Sequence, residues 1–266
     1  MSWSLFEIPL ALPAFALVLF RLSGLVMTAP IYSSTLMPRR VKAAMTLVIA
    51  AMIFPLVRSQ APENLTLATA VVGGVGELMI GAIIGLALSA MLSGAEVAGL
   101  MVGREAGLAI AEVFDPTQNE QASVTGQVYT ITLTLIFLIA GGHRATMAAL
   151  LDTFDVIPLL SFRLDESFVV MLVEMVASAF IMGIRVAGPV LIALFLLGTG
   201  LAFLSRTMPQ LNVLTVGFTV RALLALGIAA TALALSQDVF LDAIWNAVEA
   251  VRTAFGLDPV SRHMVH

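Results

Sequence analysis

Apolar residues in this chain come in long runs rather than at alternating positions, which is the pattern of helices and not of strands. The runs cover residues 8–29, 41–57, 71–102, 123–140, 168–204 and 213–235, with short polar stretches between them. A helix that crosses the hydrocarbon core of a bilayer needs about 20 apolar residues, with about 17 to 25 tolerated. Runs 8–29 and 213–235 meet that length. Run 41–57 is short, carries Pro55 near its end and is marginal as a span. At about 1.5 Å per residue, run 71–102 (about 32 residues) and run 168–204 (about 37 residues) are longer than the core. The first must tilt, break or protrude, and the second has a natural hinge at Gly188-Pro189, because proline removes an intrahelical hydrogen bond. Gly141-Gly142-His143-Arg144 is a helix stop. Residues 145–166 mix apolar positions with Asp152, Asp155, Pro158, Arg163 and Asp165, as in an interfacial segment. In 237–255, Val239, Phe240, Ala243, Val248, Val251 and Phe255 oppose Asp238, Asp242, Glu249 and Arg252, an amphipathic helix for an interface or a partner.

Composition turns this pattern into a class. The chain of 266 residues is 60% hydrophobic and 11% charged, with a mean hydropathy of +1.04, whereas soluble domains are about 45 to 50% apolar. The expected fold is therefore an all-α membrane protein with long broken helices. Because the runs recur along the whole chain, they are not a cleaved targeting peptide. Zero cysteines remove disulfides, thiolate metal sites, Fe–S clusters and a cysteine nucleophile. Lys42 is the only lysine, and no basic run interleaved with aromatics suggests nucleic acid. Pro38, Arg39, Arg40 and Lys42 form the densest positive cluster, which the positive-inside bias assigns to the cytoplasm.

Two features need more than a span to explain them. Residues 103–121, GREAGLAIAEVFDPTQNEQ, are polar and glycine-punctuated between very apolar runs. Gly103 and Gly107 let the backbone leave helical geometry, Asp115-Pro116 forces a turn or extended chain, and Leu108, Ile110, Val113 and Phe114 offer bulky apolar groups between them. Hydrophobic constrictions of this kind can gate by dewetting. The second feature is a set of charges inside apolar segments, Arg21, Glu77, Glu96, Glu174, Arg185 and Arg221, each costing about 2.5 to 3.5 kcal/mol at mid-span. Mutual pairing, a watery path or burial in protein rather than lipid would each relieve that cost. Gly81-x-x-x-Gly85 belongs to a small-residue face suited to close helix packing.

Catalytic chemistry is not supported. His143, His263 and His266 are too scattered for a metal triad, Asp152 and Asp155 read as surface charge, and no GxGxxG, HExxH or GxSxG is present. No cofactor is expected. A secondary transporter accounts for embedded charges and a proline-interrupted helix, but its inverted repeats are not visible between the two halves.

Several pieces in order resemble the FliR family of flagellar biosynthesis proteins and its type III secretion relatives. They are Arg21 followed by Pro30, Met37-Pro38-Arg39-Arg40-Val41, Glu77-Leu78 with Gly81 and Gly85, Gly103 through Asp115-Pro116, Gly141-Gly142-His143, Gly188-Pro189-Val190, and Arg206 with Pro209-Gln210-Leu211-Asn212-Val213. The resemblance implies a noncatalytic subunit of an export gate in the bacterial inner membrane at the flagellar basal body. FliP and FliQ are the implied assembly partners, FlhB and FlhA further ones, and unfolded export substrates the cargo. It also implies a FliP-like part over 1–165 and a FliQ-like hairpin with an amphipathic tail over 166–266. Residues 103–121 correspond to a loop that plugs the lumen, although Ile110 and Val113 stand where relatives carry aromatics, leaving Phe114 as the one aromatic there. Pro38, Arg39, Arg206, Pro209, Gln210 and Asn212 are the implied assembly motifs.

Overall fold

The computed structural model describes residues 8–33, 37–57, 67–108, 123–207 and 213–259. Those residues form helices α1 (Ile8–Thr28), α2 (Pro30–Ser33), α3 (Arg39–Val57), α4 (Leu67–Glu105), α5 (Val124–Ile139), α6 (Gly142–Val156), α7 (Glu166–Thr207), α8 (Val213–Leu235) and α9 (Gln237–Ala254), with no strand among them. This is an all-α membrane protein. Among the described residues, α3, α4, α7 and most of α8 are long and apolar enough to cross a bilayer. The pair α5 and α6, bent by 65°, would be a fifth span if it crosses as one.

The long helices are not broken. α4 runs 39 residues and α7 runs 42, the latter without interruption at Gly188-Pro189, where the sequence suggested a hinge. Pro189 is exposed on α7, so its ring points away from the core. The missing bond falls at Arg185, itself exposed. Gly188, lacking a Cβ, also removes part of the clash that proline imposes on the preceding residue. The double glycine does act as a helix stop: Gly141 takes a left-handed φ of 74°, ending α5 and opening α6 at once. Within the stretch read as an interfacial segment, residues 145–156 are helix.

Contacts divide the chain into two compact units. The first comprises Met1–Ala90, Gly141–Met175 and Trp245–His266. Here α1 lies antiparallel to α3, with Phe15 and Phe54 edge to face at 5.7 Å between centroids. It lies parallel to the first half of α4, because Gly24 meets the backbone of Leu78 and Ala82, Gly81 that of Arg21 and Leu25, and Gly85 that of Ala29. Absent side chains are what allow this approach. Leu17, Val18, Leu22, Leu25, Ile80 and Ile84 fill the interface and are buried. The second unit comprises Met91–Ala140 and Val176–Ile244. In it Gly94 of α4 packs on Ala179 of α7, Gly99 on Thr125 and Gly126 of α5, and Leu201 of α7 on Gly217 of α8. Along α9 and at the residue that follows it, Phe240, Ile244, Ala247, Val248, Val251 and Phe255 make a buried stripe at helical spacing. The amphipathic pattern of the tail is thus satisfied within the chain, with Val239 and Ala243 at the stripe's half-buried edge.

Candidate functional site

Two of the six embedded charges neutralise each other. Arg21 on α1 and Glu77 on α4 are both fully buried, and Arg21 Nε donates to Glu77 Oε2 at 2.6 Å. Burying such a pair is tolerable only when the remaining donors and acceptors are also met. Arg21 Nη1 donates to Thr153 Oγ1 at 3.1 Å and Nη2 to the Ile157 carbonyl at 3.0 Å. The Phe154 ring lies 4.0 Å under the guanidinium, a cation–π contact. Glu77 Oε1 accepts from the Leu160 amide at 2.9 Å, and Leu160 holds a left-handed φ of 69°, rare for a branched residue. One ion pair therefore fastens α1, α4, the end of α6 and the 157–160 turn together. Thr153, Phe154 and the two backbone groups were not singled out from sequence, since nothing in a linear pattern marks a carbonyl or an amide as a charge partner.

The other four embedded charges behave differently. Arg221 on α8 pairs with Glu105, the last residue of α4, and both are only partly buried. Glu96, Glu174 and Arg185 are exposed and form no ion pair with another described residue. Asp152, expected as plain surface charge, pairs with Arg252 of α9 at 2.7 Å. No cluster of three His, Asp or Glu able to hold a metal occurs among the described residues.

The end of α4 is where the polar stretch begins. Gly107 has a φ of 79° and donates to the Arg104 carbonyl at 3.0 Å, while the Leu108 amide reaches back to the Gly103 carbonyl at 3.0 Å. This is a Schellman cap, which satisfies the last carbonyls and turns the chain off the helix axis. Gly103 contributes only its carbonyl to the cap and itself stays helical. It sits inside α4, where a side chain would strike Thr125 and Ser123 at the start of α5, so its lack of a Cβ serves close packing and not a hinge. Phe218 of α8 covers Gly107, about one turn from Arg221. Glu105 went unnoticed in the sequence, although its place two residues before a helix-ending glycine was visible there. Ile110, Val113, Phe114, Asp115 and Pro116 lie outside the described residues, as do Pro209, Gln210 and Asn212. Pro38, Arg39 and Arg206 are exposed, the first two at the start of α3 and the last in the final turn of α7.

Arg221→Glu is expected to destabilise the end of α4 by setting two carboxylates together, while the exchange Glu105→Arg with Arg221→Glu restores the wild-type thermal midpoint. Glu105→Gln alone should cost under about 1 kcal/mol, since the pair is partly solvated. An exchange no better than Arg221→Glu by itself would show that the pair does not hold α8 to α4.

The family model described as bacterial export proteins, family 1, matches residues 12–247. Among similar proteins, the flagellar biosynthetic protein FliR of Pectobacterium carotovorum is 28% identical over 203 residues, 75% of this chain and 76% of the relative. FliR of Escherichia coli (strain K12) is also 28% identical, over 201 residues, with the same shares covered. The Yop proteins translocation protein T of Yersinia pestis is 30% identical over 151 residues, 56% of this chain and 58% of the relative. With the match running through nearly all the described helices, the chain belongs to the bacterial export proteins, family 1.

Proposed function

We propose that this chain is a noncatalytic subunit of a type III protein export gate in the bacterial inner membrane, assembled with FliP and FliQ around a pore for unfolded substrates. Membership in a family of export components supports the general role, and flagellar relatives covering about three quarters of the chain favour a flagellar system. One observation carries the assembly. α7 exposes large apolar side chains from Val169 through Val173, Phe180, Ile184, Ile192 and Phe195 to Phe203, a stretch of about 51 Å at 1.5 Å per residue. A hydrocarbon core of about 30 Å accommodates roughly 39 Å of helix even at the 40° limit of common tilt. Lipid alone leaves part of that surface in water, so protein partners must cover it. The antiparallel packing of α7 on α8 supports a FliQ-like hairpin over 166–266 following a FliP-like part over 1–165.

In this reading residues 103–121 close the lumen. The cap at Gly107 directs the chain off α4, Leu108, Ile110, Val113 and Phe114 supply the seal, and Asp115-Pro116 ends it. Two measurements test the proposal. The chain should co-purify with FliP and FliQ in mild detergent, and a stable, export-competent monomer would overturn the assembly. Deleting residues 109–114 should raise membrane conductance to small ions in cells that assemble the gate. Unchanged conductance with normal assembly would remove the plug role.

A further inference from the structure

Between α1 and α3 lies a groove of about 500 Å³, lined by Leu19, Ser23, Val26, Met27, Ala43, Thr46 and Leu47, with Arg39 and Lys42 at one end. We infer that this groove holds one anionic glycerophospholipid, its phosphate at Arg39 and an acyl chain along α1 and α3 toward Leu19. The argument begins with polarity. Ser23 and Thr46 look polar in sequence, yet Ser23 Oγ donates to the Leu19 carbonyl at 2.6 Å and Thr46 Oγ1 to the Lys42 carbonyl at 2.7 Å. Both hydroxyls are turned into their own helices, so the floor offers methyl and methylene groups. Because the two helices run antiparallel, Arg39, Lys42 and Met27 share one end while Leu19 and Leu47 mark the other. The groove is itself amphiphilic, head to tail.

Charge selects the headgroup. Among the described residues that line the groove the charged ones are cationic, Arg39 and Lys42, and exposed Arg40 adds positive charge nearby. Arg39 also opens α3, whose positive dipole end points the same way. Basic pockets between membrane helices recognise phosphate headgroups in this manner, and the positive-inside bias sets the cluster beside the cytoplasmic leaflet. A zwitterionic headgroup offers the same phosphate but carries its own cation beside it, so it gains less from that end. A protein helix, about 10 to 12 Å across with its side chains, would lean on the rim without filling the space.

The test uses the full chain extracted with its co-expressed assembly partners into nonionic detergent, with retained lipid quantified by mass spectrometry after washing. Phosphatidylglycerol and phosphatidylcholine of identical acyl chains are the probes, and inorganic phosphate is the control for a free anion. Phosphatidylglycerol should be retained about fivefold or more over phosphatidylcholine, given the attraction contributed by each basic side chain near a headgroup. Arg39→Gln should lower that preference about fivefold, whereas Arg39→Lys preserves it. Ala43→Phe fills the groove from an exposed position, leaves the core contacts alone, and should reduce retention of both lipids. Equal retention of the two lipids by the wild-type protein overturns the assignment. So does phosphatidylglycerol retention that neither Arg39→Gln nor Ala43→Phe changes, the result expected if a partner subunit covers this face. Competition by inorganic phosphate as effective as that by lipid would also overturn it, by showing an anion site without an acyl chain.

Discussion

Glu77→Ala is expected to destabilise the chain by about 3–5 kcal/mol, measured by denaturant unfolding in mixed micelles, because it strands the guanidinium of Arg21 without its counter-ion. Arg21 is fully buried and has no route to water that leaves α1 in place. The same substitution frees the Leu160 amide, whose left-handed backbone is held by that carboxylate. Arg21→Ala should cost a similar amount, leaving a buried carboxylate and removing the cation over Phe154. The double replacement Arg21→Leu with Glu77→Leu separates charge from shape. A buried ion pair exchanged for apolar side chains is often neutral or better, so the double variant should recover most of the loss. If either single alanine variant proved as stable as the wild type, the pair could not be what fastens α1 to α4. Glu77→Gln is intermediate, since an amide oxygen can still accept from Leu160 but brings no charge.

How this clamp relates to the sequence explains which parts of the protein were readable. Arg21 and Glu77 were each conspicuous as charges in apolar runs, yet their pairing was not, because they lie 56 positions apart and the remaining partners of Arg21 lie 132 and 136 positions away. Run length identified the helices well, because composition alone distinguishes membrane helices from loops. Their continuity was harder. A proline forecasts a break only if its ring and its missing bond fall where the helix is tightly packed, and at Pro189 they fall on an exposed face. Glycines were ambiguous for a related reason. Gly107 and Gly141 adopt positive φ, while Gly103 is helical and simply lets α5 approach. Only the neighbour, unknown in one dimension, separates these roles. The apolar groups of the proposed seal beyond Leu108 stand on sequence and family resemblance.

Glycines in the same kind of helix are likewise expected to respond in opposite directions to alanine. A Cβ at Gly81 meets the Arg21 carbonyl oxygen and the Leu25 amide nitrogen of α1, backbone atoms that no rotamer change can move aside. Gly81→Ala should therefore cost about 3 kcal/mol or more, at the upper end of overpacking, by forcing α1 away from α4. Gly200 and Gly227, by contrast, have no described residue within 4 Å of the added carbon. There alanine gains up to about 1 kcal/mol of helix propensity in the unassembled chain. Thermal midpoints of the single variants would decide the matter, and a Gly81→Ala protein as stable as Gly227→Ala would refute the parallel contact of α1 with α4. The two largest effects are also coupled. The atom that a methyl group at residue 81 strikes belongs to Arg21, so a shift of about 1 Å in α1 draws the guanidinium away from Glu77 across a bond of 2.6 Å. Gly81→Ala combined with Glu77→Ala should then cost less than the two changes summed, since each weakens the same junction.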